Sequence, residues 1–363
     1  MNKVAMIMAG GTGTRFWPLS RTSRPKQVLS IGDQPVMLKS TLERLRPVYS
    51  PDQTYVITSR KHQKRVAEVC SSLPKDHVIG EPQGRDTAPC AGLGGVLVSE
   101  WHDPDTVIGV FPADHRIEPE AAFHNDVTRA SQVCAEWGGI TTLGIKPTFA
   151  STGYGYIEFQ RDRARELDNK PVYPVRRFTE KPQREQAEQF LSRGNYLWNS
   201  GMFFWPASHI LEEIDQHMPS LYRGLMKIRD ELRAGTDLSS ALSHHYGQLP
   251  ATSVDYGIME ETETVWTVPA TFEWSDLGTW DALESVHEAD AQGNISIGDV
   301  HSIDSSENIL MSADSAPVIG TVGLNNLIVV ATEDAVLVCR KDRAEDVKTL
   351  VNHLQQEGRE EVL

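Results

Sequence analysis

Val4-Ala-Met-Ile-Met-Ala-Gly-Gly-Thr-Gly-Thr-Arg-Phe-Trp-Pro-Leu-Ser20 is a six-residue apolar run that breaks directly into a glycine-rich loop. A short apolar run ending in glycines reads as a buried strand that turns sharply at its carboxyl end. Working outward, strand patterns recur at 54–58, 77–80, 107–111 and 140–145, separated by helical patterns at 34–46, 61–71, 87–101 and 119–137. Strands alternating with helices predict right-handed βαβ units, a parallel sheet covered by helices on both faces, and ligands beyond the carboxyl ends of the strands. Two polar loops leave strands there: residues 10–27, and Pro112-Ala-Asp-His115.

The middle of the chain mixes extended patterns at 154–159, 172–179 and 198–205 with helical ones at 184–193, 207–217 and 219–234. From about 293 to 340, short apolar runs separated by Gly, Asn, Asp and Ser predict a stack of short strands. Ala344, Val347, Leu350, Val351 and Leu354 then fall at helical spacing. The expected division is therefore a larger α/β domain over 1–285 and a small β-rich domain with a terminal helix over 286–363.

The chain carries 50 acids against 35 Lys and Arg, a net charge of −15, yet its first acid is Asp33. An acidic balance argues against nonspecific attachment to nucleic acid or anionic membranes, which require a basic face. Cys70, Cys90, Cys134 and Cys339 are far apart and form neither a disulfide framework nor a zinc spacing. The apolar N-terminal run leads into glycines and cations instead of a cleavage site, and no stretch approaches the length of a membrane span. A cytoplasmic protein with reduced thiols is expected.

Into the acid-free segment the chain places Arg15, Arg21, Arg24 and Lys26. Bare amides at Gly10, Gly11 and Gly13 beside these cations suit an anion with several charges. The dinucleotide pattern GxGxxG fails because Phe16 stands at its third glycine, and no Lys-Ser/Thr follows the loop as the P-loop requires. Asp114, just past an apolar strand, reads either as a ligand for a hard cation or as a turn residue. Asp276, within Trp274-Ser-Asp-Leu-Gly-Thr-Trp280, reads as its partner or as a helix cap. Glu180-Lys181 reads as a sugar-phosphate grip or a surface ion pair, and Asn199 with Tyr154 and Tyr156 offers the groups that carbohydrate recognition uses. The 12 histidines show no metal-binding spacing.

Nine strings occur together and in order: Met8–Ser20 as quoted above, Pro25-Lys-Gln, Glu81-Pro-Gln-Gly-Arg-Asp-Thr-Ala-Pro89, Phe111-Pro-Ala-Asp-His115, Thr152-Gly-Tyr-Gly-Tyr-Ile-Glu158, Phe178-Thr-Glu-Lys-Pro182, Trp198-Asn-Ser-Gly-Met-Phe203, Ser253-Val-Asp-Tyr-Gly-Ile-Met-Glu260 and Trp274–Trp280. In them the chain resembles the bacterial mannose-1-phosphate guanylyltransferases of the sugar-phosphate nucleotidyltransferase superfamily, across residues 3 to 285. The resemblance implies a Rossmann-like nucleotidyltransferase core with a mostly parallel mixed sheet, followed by a small β-helix-like domain. It implies a Mg²⁺-dependent reaction of GTP with mannose 1-phosphate, giving GDP-mannose and pyrophosphate, and a homodimer joined through the C-terminal domain.

The resemblance also assigns residues. Arg15 and Lys26 are the catalytic cations. Ala9, Gly10, Gly11, Gly13, Thr14, Glu81, Gly84, Arg85 and Thr87 bind the nucleotide. Gly155, Glu180, Lys181 and Asn199 bind the sugar phosphate, and Asp114 and Asp276 the metal. Because a phosphate monoester oxygen is already anionic, the expected catalysis is positioning and charge neutralisation without a general base. Three residues depart from the family's pattern: Asp86 where Asn is expected, Glu261 where Lys is common, and Val28 for an aromatic. No isomerase activity is expected. Two alternatives stay open: a sibling enzyme with another sugar or base, and a silent nucleotide-sugar sensor.

Overall fold

A computed structural model describes residues 1–11 and 13–363. The chain packs into two compact units, one of Met1–Gly10, Glu43–Pro112 and Ile117–Trp274, the other of Gly11–Leu42, Ala113–Arg116 and Ser275–Leu363.

The elements begin with β1 (Lys3–Ala9), α1 (Met37–Leu45), β2 (Thr54–Ser59), α2 (Gln63–Val69), β3 (Val78–Glu81), α3 (Thr87–Trp101) and β4 (Val107–Pro112). They continue with β5 (Arg116–Glu118), α4 (Glu120–Trp137), β6 (Ile140–Ile145), β7 (Tyr156–Phe159), β8 (Arg165–Leu167), β9 (Lys170–Thr179), α5 (Arg184–Arg193) and β10 (Tyr196–Pro206). α6 (Ala207–His217), α7 (Pro219–Arg233), α8 (Leu238–His245), β11 (Val265–Pro269) and β12 (Glu273–Ser275) follow.

The first unit is built on a ten-stranded mixed sheet ordered β3-β2-β1-β4-β10-β6-β11-β9-β7, with β8 on β9. Its first four strands are mutually parallel, as the βα alternation predicts. β10 is antiparallel to both β4 and β6 and sits between them. Alternate side chains divide between the faces. Ile108, Val110, Phe203 and Trp205 join the cluster formed with α3, whereas Phe111 meets Phe204 and Phe123 of α4. α3 is buried from Ala88 to Val98, consistent with a helix that lacks a polar stripe and is enclosed by other elements.

α8 and β11 have no counterpart among the sequence expectations. Val265-Trp-Thr-Val-Pro269 is short, ends in proline and carries no strict alternation, yet it pairs in parallel with β6 inside the sheet. Burial between neighbouring strands, rather than local pattern, makes it a strand.

The second unit contains β13 (Ile295–Ile297), β14 (Val300–Ile303), β15 (Ile309–Ser312), β16 (Ile319–Val322), β17 (Leu327–Ala331), β18 (Val336–Arg340) and α9 (Val347–Gln356). β13, β15 and β17 stack in parallel, as do β14 and β16, while β18 closes the first stack antiparallel. This is the β-helix-like arrangement. Between coils, Asn308 Nδ2 donates to Asn294 Oδ1 at 3.0 Å and the Leu327 N–H donates to Asn308 Oδ1 at 2.9 Å. These buried amides satisfy main-chain groups that the turns leave open. Phe16, Trp17, Leu29 and Ile31 share one apolar core with Trp280, Ile295, Ile309, Ile328, Val347 and Val351. Trp280 Nε1 donates to the Trp17 carbonyl at 3.0 Å, and Trp17 Nε1 to the Val362 carbonyl at 2.7 Å. No helix of the described residues is long and apolar enough to cross a membrane.

Candidate active site

In the second unit, the glycine loop is shaped around Lys26. Gly13 adopts a left-handed φ of +66°, and a Cβ there would stand 2.2 Å from Lys26 Cβ, so only glycine allows the approach. Thr14, Arg15 and Phe16 form a single 3₁₀ turn, and a Cβ on Gly11 would meet nothing within 4 Å. Lys26 is buried, yet its Nζ donates to Asp114 Oδ2 at 2.7 Å and to the Asp276 main-chain carbonyl at 3.0 Å. Burial pushes the Asp114 carboxyl up, but the Lys26 ammonium and then His115 outweigh it and hold Asp114 below its ordinary value. Asp276 Oδ1 accepts from the Gly278 N–H at 3.2 Å, a turn contact and not a helix cap, and the next residue, Leu277, has a φ of +44°.

The other cations are held differently. Arg15 Nε pairs with Glu345 Oε2 at 2.7 Å. Arg21 donates to Asp334 Oδ1 at 2.6 Å and lies 5.5 Å from the Trp17 ring. Arg24 bonds through its main chain to Arg21. Arg21 is thus a tether between the loop and the β-rich segment, one use the composition of the loop does not reveal.

In the first unit, a second group gathers at the ends of β1 and β3. The Ala9 carbonyl accepts from Thr58 Oγ1 at 2.9 Å, and a Cβ on Gly10 would lie 3.5 Å from Glu81 Oε2. Glu81 is buried, and the Tyr246 hydroxyl donates to its Oε1. Burial raises the Glu81 carboxyl to about 7 against the lowering effect of Tyr246 and Cys90. A Cβ on Gly84 would meet nothing within 4 Å, while Arg85 donates to Gln83 Oε1 at 3.4 Å. Asp86, with a φ of +67°, caps α3 by accepting from the Thr87 N–H at 2.7 Å. The Thr87 hydroxyl accepts from the Val254 N–H at 2.8 Å.

A third group, also in the first unit, forms where β10 bulges. The register of β10 shifts between Asn199 and Phe203, and Gly201 takes a φ of +68°. The bulge turns Asn199 so that its Nδ2 donates to Asp255 Oδ1 at 2.7 Å while its Oδ1 accepts from the Gly201 N–H at 3.0 Å. A Cβ on Gly155 would lie 2.4 Å from Glu180 Oε2, so the carboxylate packs against bare backbone. Lys181 Nζ donates to Glu180 Oε1 at 2.7 Å from a backbone with φ +44°. A lysine held in that region carries strain of the kind that collects at functional sites. Burial lowers the Lys181 ammonium, and Glu180 more than restores it. Tyr154 lies 5.1 Å from Trp198 and 5.2 Å from Trp274 by ring centroids. Tyr156 does not join this group: it is fully buried and its hydroxyl donates to the Ser151 carbonyl at 3.0 Å.

The structure therefore brings Lys26, Asp114 and Asp276 together, Glu180, Lys181, Asn199 and Gly155 together, and Glu81 beside Gly10. Tyr246, Asp255 and Glu345 are partners that sequence reasoning missed. Only Asp255 carried a signal, since it lies within the Ser253–Glu260 string. Among the described residues no group of three or more His, Cys, Asp or Glu side chains is arranged to hold a metal ion.

The nucleotidyl transferase family matches residues 4–293, and the MannoseP isomerase/GMP-like beta-helix domain matches residues 298–354. Mannose-1-phosphate guanylyltransferase RfbM of Salmonella typhimurium is 37% identical over 364 residues, covering 99% of this chain and 74% of that protein. The Escherichia coli mannose-1-phosphate guanylyltransferase is 39% identical over 360 residues, covering 98% and 74%. A Thermus thermophilus crystal structure described as mannose-1-phosphate geranyltransferase matches with a TM-score of 0.84 at 32% identity, covering 98% of this chain and 100% of that one.

Proposed function

We propose that this chain, which belongs to the nucleotidyl transferase family, transfers GMP from GTP to α-D-mannose 1-phosphate, giving GDP-mannose and pyrophosphate. The relatives' names support the substrates. The observation that supports the chemistry is the Lys26 ammonium, buried between the Asp114 carboxylate and the Asp276 carbonyl.

The sugar phosphate brings an anionic oxygen that needs no base, and its obstacle is the charge of the triphosphate. Lys26 and Arg15 neutralise that charge as the oxygen attacks the α-phosphorus in line with departing pyrophosphate. Arg15 faces Glu345 through Nε, and its guanidinium is the group that meets phosphate oxygens in this reading. Lys181 holds the sugar phosphate, and Glu180, Asn199 and Gly155 surround the hexose. Glu81, Gly84, Arg85 and Thr87, with Ala9, Gly10, Gly11, Gly13 and Thr14, frame the nucleotide.

Asp114 and Asp276 fit a divalent cation, with Mg²⁺ the proposed ion. Their oxygens are hard donors, Asp114 is kept ionised, and two carboxylates leave positions for phosphate oxygens and water. When bound, the cation supplies charge neutralisation on the phosphates.

Pyrophosphate release across four nucleoside triphosphates and several hexose 1-phosphates tests the reading, with and without chelator. Turnover is expected with GTP and mannose 1-phosphate and a divalent cation. Preference for another base or sugar would identify a sibling enzyme, and binding without release a sensor. Exposed Ile303, Val318 and Val322 on the β-rich segment support a homodimer contact there, which light scattering checks. Four free cysteines support a cytoplasmic setting.

A further inference from the structure

Asp255 opens the π-helical turn Asp255–Met259, and none of the substrate roles above uses it. Such turns are rare and occur frequently at functional sites. From its two ends this turn holds two different residues of the sugar-phosphate group. Asp255 Oδ1 accepts from Asn199 Nδ2 at 2.7 Å, and Glu260 Oε1 accepts from the Glu180 N–H at 3.0 Å. The Asn199 amide is pinned a second time by the Gly201 N–H at 3.0 Å, so its plane is fixed, leaving one N–H and one lone pair for a ligand.

We propose that Asp255 is a further specificity-determining residue for the hexose 1-phosphate: it fixes the Asn199 amide from one end of its turn while Glu260 holds the Glu180 main chain from the other, so that the Asn199 and Glu180 side chains meet a defined set of hydroxyls. The proposal rests on the sugar-phosphate reading of Glu180, Lys181 and Asn199. A pyranose hydroxyl both gives and accepts a hydrogen bond, so two ionised carboxylates would leave acceptors facing acceptors across part of the ring. Protonation of Asp255 removes that conflict. Burial first, and then the neighbouring Glu180, raise Asp255 to about 7, while the Asn199 hydrogen bond and Lys181 oppose the rise. The charged and titratable groups around it are Glu180 and Lys181 from the turn after β9, and Tyr256 and Glu260 from its own turn. Partly buried polar groups that a substrate must satisfy discriminate between epimers, because the wrong one leaves a group unpaired.

The test is steady-state pyrophosphate release by Asp255→Ala and Asp255→Asn, varying mannose 1-phosphate, glucose 1-phosphate and GTP in turn. Asp255→Ala is expected to raise KM for mannose 1-phosphate about tenfold or more and to narrow its advantage over glucose 1-phosphate, with KM for GTP nearly unchanged. Asp255→Asn keeps an oxygen for Asn199 but does not titrate. It should recover part of the affinity and lose the rise in sugar KM that the parent enzyme shows above about pH 7. Titration of the sugar phosphate itself is common to both enzymes and cancels in the comparison.

An unchanged sugar KM in a folded Asp255→Ala protein, or equal loss for both substrates, overturns the proposal. If Asp255→Ala does not fold, Asp255→Asn decides: a sugar KM and a pH profile both identical to the parent's overturn the proposal. Lys181→Ala and Asn199→Ala run alongside. If neither raises the sugar KM, the sugar-phosphate reading itself fails. If they do and Asp255→Ala does not, only the present inference fails.

Discussion

Lys26 is 5% exposed, and its ammonium is shared between a carboxylate and a main-chain carbonyl. From the sequence, removing either Lys26 or Arg15 is expected to leave the fold intact. Burial changes that expectation for Lys26. Lys26→Ala strips Asp114 of its counter-charge, and breaking a buried pair costs about 3–5 kcal/mol, less here because the Asp114 side chain keeps 32% of its exposure. Lys26→Ala should therefore lower both the melting temperature and kcat, the latter by on the order of 10²-fold or more. Arg15, whose side chain is 38% exposed, should lose turnover on a similar scale with an unchanged melting temperature. Calorimetry beside kinetics checks both; near-normal turnover in either variant removes the mechanism. Glu81 gives a pH prediction. Its carboxyl is raised from an ordinary 4.5 to about 7, so the fold prefers the protonated form; its contribution to stability is fully present below about 4.5 and is lost as pH rises through about 7. Tyr246→Phe removes a donor to the ionised form, which raises Glu81 further. The acid limb of KM for GTP should then move to higher pH, and a limb that stays in place would show that Glu81 does not meet the nucleotide in its ionised form.

At the scale of the element, the turn after β1 and the bulge in β10 do the positioning, and they differ in how far sequence discloses them. Gly-Gly-x-Gly after an apolar run marks the first as a tight turn. Its purpose is visible only when Lys26 Cβ is found where a side chain at residue 13 would be. Gly13→Ala combines a left-handed alanine, about 1 kcal/mol or more, with a direct clash. The variant should melt several degrees lower and lose turnover as Lys26 moves; an unshifted melting curve with full activity would deny the constraint. Trp198-Asn-Ser-Gly201 is strongly apolar on either side and reads as plain strand, yet the ladder breaks there because Gly201 takes a positive φ and Ser200 Oγ donates to the Leu143 carbonyl at 2.7 Å. β1 through β4 were legible because apolar runs and helical spacing are local signals. β11 was not, because five residues ending in proline acquire their strand character from β6 and β9 on either side.

At the scale of the whole molecule, the β-rich segment serves the loop as well as itself. Phe16 and Trp280 are fully buried with rings 4.9 Å apart, and Arg21, Trp17 and Arg15 reach Asp334, Val362 and Glu345. A chain cut after residue 293, where the nucleotidyl transferase match ends, would leave Phe16, Trp17, Leu29 and Ile31 without most of their core. Large apolar truncations in a core cost about 3–5 kcal/mol each, so that fragment should aggregate or lose its cooperative melting transition, and Lys26 should lose its place. A soluble fragment with full turnover would show the opposite. Strand-helix alternation, the acid-free loop and the ordered strings were determined by sequence alone, because backbone preference and apolar period act over a few residues. Only the tertiary structure decided that Lys26 meets Asp114 and Asp276, 88 and 250 residues away, that Tyr246 meets Glu81 across 165, and that Asp255 meets Asn199 across 56. Such contacts follow from how strands order in a sheet and how side chains fill a core, and no local property of the chain encodes them.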